Sequence, residues 1–291
     1  MIALLHVGSL ADLVHSPLIG LSAFLCLVLC AGLFGYLKYR SLRGHIKEAT
    51  TCGYVAPPPT AKAVASLNRW ARFFIFIQVG KIRYVGLENL HNVPGPSIYS
   101  ANHPHYIDPL IASQTVNKPV RYMAHGRVMH SLGGLLGVYL SKRGVFAAQD
   151  DIKDGGVRTR EAATQMLVSG QHLVVFPEGL TNFSPSVDDL RPGAVKIIRE
   201  AARRLGKPVY IVPGYTRYGK YPTAWLATWD RPIQYFMVLF GFPFFRRGAV
   251  VTIGKPISAA ELYGPTLNER TDEEAMALLK QRIESLDPGH V

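Results

Sequence analysis

The sequence predicts an α/β domain with a mostly parallel sheet flanked by helices, preceded by an N-terminal transmembrane helix. Three observations carry this expectation. Short apolar runs rich in Val, Ile and Tyr recur from Lys81 onward and close on Gly, Pro or Asn, as strands do. Helical stretches such as "GGVRTREAATQMLVSG" and "GAVKIIREAARRLGK" separate them, and that alternation builds parallel sheets through crossover helices. Ahead of both lies "PLIGLSAFLCLVLCAGLFGYL", a charge-free run of the ~20 residues that a helix needs to cross a hydrocarbon core.

In chain order, residues 1–16 read as a tail and 17–37 as a transmembrane anchor. A cleavable signal peptide is the rival reading, but its positive charge precedes the apolar core. Here Lys38, Arg40, Arg43 and Lys47 follow the run and Asp12 precedes it. Cations collect on the cytoplasmic side, so the rest of the chain is expected there, as a single-pass membrane protein. Residues 38–60 read as a basic, Pro-rich linker, stiff and extended at Pro57, Pro58 and Pro59, with nothing folded crossing it. Residues 61–291 form the main domain, opening with an amphipathic helix at 61–79. Two readings of that helix stand: it lies in the membrane interface with Trp70 at headgroup depth, or it packs on the core.

The runs "KIRYVGLENL", "PSIYSANH", "VRYMAHG", "HLVVFPEG", "PVYIVPGYTRYG" and "GAVVTIGKPI" are the expected strands. The stretch "RPIQYFMVLFGFPFFRRG", 231–248, is too short an apolar run to span easily; interface contact or burial are its two readings. With 32 basic against 20 acidic residues the net charge is +12, which suits an anionic partner: nucleic acid, a membrane surface or a phosphate-bearing substrate. Charge alone does not choose, but the chain has no nucleic-acid recognition motif. Cys26, Cys30 and Cys52 all lie near the N-terminus, so the remainder forms no internal disulfide and fits a reducing compartment.

Chemistry-bearing residues fall where strands end, the place where open α/β sheets hold their sites. "SANHPHYIDPL" puts His103 four residues clear of Asp108. Such a pair suits a general base: imidazole titrates near neutrality, and a carboxylate on its second nitrogen fixes the tautomer and stabilises the imidazolium. A solvated strand end is the bland alternative. A metal site at His103, His105 and Asp108 is a third reading, but the sequence offers no second cluster to complete a ligand set. "VVFPEGLTNF" stops a strand at Pro177, after which Glu178, Gly179, Thr181 and Asn182 suit a hydrogen-bonding site. The chain has no Gly-x-Ser-x-Gly elbow and no cysteine in the predicted core, so it shows no motif for a covalent nucleophile.

Together these stretches resemble the lysophosphatidate acyltransferase family, the PlsC-like glycerolipid acyltransferases, in four ordered blocks: "NHPHYID", "GVYLSKRG", "FPEGLTN" and "VYIVPGY". The resemblance runs from about Tyr84 to Ile257, and order makes it specific. It implies a glycerolipid acyltransferase-like fold and acyl transfer from acyl-CoA or acyl carrier protein, a donor substrate with no cofactor, to a hydroxyl of a lyso-glycerophospholipid. The first acceptor to consider is 1-acylglycerol-3-phosphate, in phospholipid biosynthesis. It further implies His103 as base, Asp108 as its orienting partner, Arg143, Glu178 and Gly179 as acceptor-binding and site-shaping residues, and Pro213 as packing; beside these, Lys142, Arg143 and Arg127 are candidates for an acceptor phosphate, and Thr181 is a further candidate substrate-binding residue. Two cations of the family pattern are missing: Leu180 and Thr181 follow Gly179 where Thr-Arg is common, and His125 stands for a Lys. The acceptor is therefore open between lysophosphatidate and another lyso-lipid, such as an amino-acid lipid. A non-catalytic, membrane-bound lipid-binding protein is the reading from another class.

Overall fold

The computed structural model describes residues 17–116, 118–148, 153–182, 186–219, 233 and 248–289. The chain divides into two units, residues 1–47 and 48–291. Helix α1 spans Pro17–Thr50, and its apolar part is long enough to cross a membrane. The basic residues after position 37 therefore continue the helix, because nothing between Lys38 and Thr50 breaks it. Only the stretch after Thr50 is a linker.

That linker is bound to the domain, contrary to the free spacer expected from its prolines. The Cys52 thiol donates to the Gly155 carbonyl at 3.2 Å and lies 3.2 Å from the Thr159 hydroxyl. Arg121, 1% exposed, reaches the Ala56 carbonyl at 2.5 Å and Gln171 Oε1 at 2.6 Å. A buried guanidinium has to find acceptors, and the linker backbone supplies one of them.

Helix α2, Ala61–Gln78, starts on a Thr60 cap whose hydroxyl accepts from the Ala63 amide. Of its two expected readings, packing on the core is what the burial shows. Ala71 and Ile75 are buried in the core, while Trp70, Phe73 and Phe76 are exposed. The domain then runs β1 Ile82–Val85, α3 Glu88–His91, β2 Ser97–Ala101, α4 Asp108–Val116, β3 Arg121–His125, α5 Gly126–His130, a 3₁₀ turn at Ser131–Gly134, and α6 Leu135–Ser141. It continues with β4 Val145–Ala148, α7 Gly155–Val168, β5 Leu173–Val175, α8 Gly193–Leu205, β6 Tyr210–Tyr218, β7 Ala249–Ile253, β8 Ile257–Ser258, α9 Ala259–Tyr263 and α10 Asp272–Glu284.

One sheet takes the order β1-β7-β6-β2-β5-β3-β4, with β8 on β6. Strands β2 to β6 are mutually parallel; β7 and β8 run antiparallel to β6. The central strand "SIYSA" is buried along its whole length, as a strand covered on both faces must be. One apolar layer packs Met166, Leu167, Ile197, Ile198 and Leu279 on one face of the sheet. A second packs Ala71, Ile75, Leu90, Ile111 and Met129 on the other. The parallel strands thus end at one common edge, where the loops after β2, β3 and β5 meet. Segment 231–248 lies outside the described residues apart from Ile233 and Gly248.

Candidate active site

The chain leaves β2 at Asn102, which is fully buried and bonds to β6 with both ends of its amide: Oδ1 accepts from the Thr216 amide at 2.7 Å and Nδ2 donates to the Thr216 carbonyl at 3.1 Å. The side chain thereby replaces one backbone rung, and the next residue, His103, starts the loop at a fixed place.

His103 is held from four sides. Its Nδ1 lies 2.9 Å from Asp108 Oδ2, its ring stacks on Phe176 at 4.4 Å between centroids, and its backbone amide donates to Glu178 Oε1 at 2.9 Å. Its carbonyl accepts from the Asn182 amide at 3.2 Å. An ionised Asp108 only accepts, so Nδ1 carries the proton and Nε2 presents its lone pair. The Thr181 hydroxyl lies 3.4 Å from that Nε2, which marks the direction from which a hydroxyl approaches.

Asp108, 2% exposed, sits in the first turn of α4, where the helix dipole favours a negative charge. Its Oδ2 accepts from the His105 amide at 2.7 Å besides the His103 ring, and its Oδ1 accepts from the Tyr218 hydroxyl. Tyr218 is a residue that sequence reasoning passed over: it ends the run "PGYTRYG", but nothing in the spacing ties it to Asp108, 110 positions earlier. Tyr218→Phe removes a donor to a buried carboxylate, a bond worth about 1.5–3 kcal/mol. We expect kcat/KM to fall about tenfold with an unchanged circular dichroism spectrum, since part of that energy is lost equally from ground and transition states.

His105 does not line the cavity beside His103. It is 1% exposed, its Nδ1 accepts from the Ile107 amide at 3.1 Å, and burial pushes its ring down to about 4, so it is neutral at physiological pH. Among the described residues no group of three or more His, Cys, Asp or Glu side chains is placed to hold a metal ion.

From β5 comes Glu178. Burial pushes its carboxyl up to about 7, with the Asp188 and Asp108 carboxylates adding to that and the His103 amide opposing it. Its second oxygen accepts from Asn182 Nδ2 at 2.6 Å. Gly179 has φ +77°, and a Cβ there would stand 2.8 Å from Arg191 Nε. The left-handed turn is what calls for glycine, since the flexible arginine side chain can move aside from a Cβ.

His103 opens on a cavity of about 250 Å³ lined on its apolar side by Met123, Val175, Phe176 and Ile197. Arg160 from α7, Arg191 ahead of α8 and Lys196 within α8 line it too, and among the described residues no Asp or Glu does. Lys196 also pairs with Asp272 at 3.4 Å. These three cations were not identified from the sequence, because they lie in α7, in α8 and just ahead of α8, segments that the fold, not the chain order, brings to the strand ends.

The expected contacts of Lys142 and Arg143 are corrected. Both precede β4, whereas His103 follows β2, and β4 is parallel to β2 through β3 and β5; they stand at the opposite edge of the sheet. Arg143 donates to the Tyr139 carbonyl at 2.8 Å and to Ser66 Oγ at 3.3 Å, and its guanidinium carbon lies 3.4 Å from the Tyr139 ring centre. Lys142 caps the end of α6 and is exposed. Glu178, Gly179 and Thr181, in contrast, adjoin His103.

Comparison with known proteins follows the same outline. No curated protein matches the chain. Among solved structures, it is similar to the 1-acyl-sn-glycerophosphate (LPA) acyltransferase, PlsC, from Thermotoga maritima, at 18% identity and TM-score 0.49 over 77% of this chain and 80% of that one. The family model described as Acyltransferase matches residues 81–217, the stretch that carries β1 to β6 with His103, Asp108 and Glu178. Residues 81–217 thus carry an acyltransferase domain, and that match supports an acyltransferase activity.

Proposed function

We propose that the protein moves a fatty acyl group from acyl-CoA or acyl carrier protein to the free hydroxyl of 1-acylglycerol-3-phosphate, at the cytoplasmic face of a membrane. The observation that carries this is the pair of His103 and Asp108, opening on a cavity whose charged lining among the described residues is Arg160, Arg191 and Lys196. His103 Nε2 takes the acceptor's proton as its oxygen attacks the thioester carbonyl, and Asp108 stabilises the imidazolium that results. The tetrahedral oxyanion then collapses, the carbon–sulfur bond breaks, and the imidazolium returns the proton to the departing thiolate. A thiol of pKa about 8.5 leaves without a strong acid.

Glu178 acts as the support of His103, while Gly179 and Thr181 shape the acceptor's approach. Arg160, Arg191 and Lys196 meet the acceptor's phosphate, since guanidinium and ammonium groups pair with phosphate through charge-assisted hydrogen bonds. A lyso-lipid with an ammonium head would meet Arg160 and Arg191, with Lys196 already paired to Asp272, so the described lining favours the phosphate acceptor over the amino-acid one. The membrane location rests on α1 and on the exposed Trp70, Phe73 and Phe76 beside Arg69 and Arg72, which suit an interface bearing anionic lipid.

The test is labelled acyl transfer by membranes carrying the full chain, with acyl-CoA and acyl carrier protein supplied separately and a panel of lyso-lipids as acceptors. Turnover is expected on 1-acylglycerol-3-phosphate; none on any acceptor would defeat the proposal. Arg191→Ala is expected to raise KM for that acceptor about tenfold, the loss of one charged hydrogen bond, and to change little with monoacylglycerol.

A further inference from the structure

Helices α5 and α6 form a tight hairpin at the edge of the sheet that carries the candidate site. It begins at His125, the last residue of β3, which lines the cavity of His103. The two helices touch backbone to backbone: a Cβ at Gly137 would stand 2.3 Å from the Met129 carbonyl oxygen. Met129, fully buried, and Val138 tie the inner face to the core. The outer face exposes apolar residues as well, beside Arg127, His130 and Ser131. Val128 is 41% exposed, Leu135 40%, and Leu132 at the tip 77%.

The tip is unusual in its backbone. Leu132, Gly133 and Gly134 take φ of 53°, 63° and 86°, three left-handed residues in succession, and the first is a branched apolar residue for which that region is costly. The turn holds Leu132 away from the hairpin's own core. An aqueous surface would place a Gly, Asn or Asp there.

The electrostatics of this part of the chain are one-sided. Between Asp108 and Asp150 there is no acidic residue, and there are five Lys and Arg. Arg121 is buried and Lys142 follows the far end of α6, away from the tip, but Arg127 at the start of α5 is exposed beside Val128. Exposed apolar side chains beside an exposed cation, with no acidic residue in this stretch, fit the surface of a bilayer containing anionic lipid, where the side chains enter the acyl boundary and the cation meets the headgroups.

We propose that the α5–α6 hairpin, through Val128, Leu132 and Leu135, docks on the bilayer surface and sets the mouth of the His103 cavity against it. A lyso-lipid whose chain stays in the membrane then reaches the cavity without leaving the bilayer. Why a lipid should be delivered there rests on the acyl-transfer reading; the docking does not.

The experiment uses the full chain in phosphatidylcholine vesicles with and without phosphatidylglycerol. A single fluorophore is placed at Leu132→Cys, or at Val85→Cys at the far edge of the sheet, in a Cys26→Ser, Cys30→Ser background. Lipid-borne quencher is expected to quench position 132 several-fold more than position 85, and iodide in water to do the reverse, with a stronger contrast when phosphatidylglycerol is present. Equal quenching at the two positions overturns the proposal, as does protection of position 132 from both quenchers, which marks a protein partner. In the second arm, Leu132→Asp with Leu135→Asp should raise KM for a vesicle-embedded acceptor at least fivefold and leave turnover on a short-chain, soluble acceptor unchanged. Equal losses on both acceptors also overturn it. Absence of turnover on every acceptor sinks the acyl-transfer reading, while the quenching result still decides the docking.

Discussion

His103→Ala is expected to lower kcat by about 10²- to 10⁴-fold, the contribution of a positioned general base. The loss should come with little change in thermal stability. The His103 side chain packs on Phe176 and meets Asp108, but the anchors of its loop are backbone groups: the amide on Glu178 and the carbonyl on Asn182. Alanine keeps both. Acyl transfer measured with matched amounts of membrane-extracted protein checks the prediction, and a variant with full activity would remove His103 from the chemistry. His105→Ala is the informative contrast. Its ring is buried and accepts from Ile107, so the change should cost stability, about 1–3 kcal/mol for the amide left unpaired, more than it costs turnover per folded molecule.

Asp108→Ala should cost about 10³-fold, with a second effect that the histidine variant lacks. The aspartate fixes the imidazole tautomer, and its removal frees the ring to turn and to place its proton on either nitrogen. It also strands two donors, the His105 amide and the Tyr218 hydroxyl. Asp108→Asn should lose clearly less. The His105 amide is a fixed donor, so the amide oxygen of asparagine must occupy the Oδ2 position; its NH₂ then faces Tyr218, whose hydroxyl rotates to accept. The correct tautomer survives and only the charge opposite the imidazolium is lost. Measured kcat in the order wild type, Asn, Ala supports this account, and an Asn variant as slow as Ala would contradict it.

Much of the fold was legible because strand and helix signals alternate cleanly and because buried parallel strands read as unbroken apolar runs, "SIYSA" among them. His103, Asp108 and Glu178 could be singled out because the chain turns sharply after two such strands, so their neighbourhood is written into short stretches of sequence. Arg143 shows the limit of that reasoning. It looked like a site residue from its place in an ordered block, but a residue before a strand and one after it stand about a strand's length apart, roughly 13 Å for four residues. The reverse holds for Arg160, Arg191 and Lys196, whose meeting depends on how α7 and α8 pack on the sheet. The linker misled for a related reason: three prolines stiffen a chain, but whether it binds the domain depends on a buried arginine 65 positions later.

Asn102 gives the catalytic loop a property that belongs to its dynamics. By pairing with both backbone groups of Thr216, it extends the β2–β6 ladder by one step beyond the strand itself. The loop that carries His103 therefore cannot open without breaking a rung of the central sheet, and local loosening there is coupled to the most protected cooperative unit of the fold. The pair of His103 and Asp108 is in this sense set in advance of any substrate, so binding need not spend its energy on ordering the base.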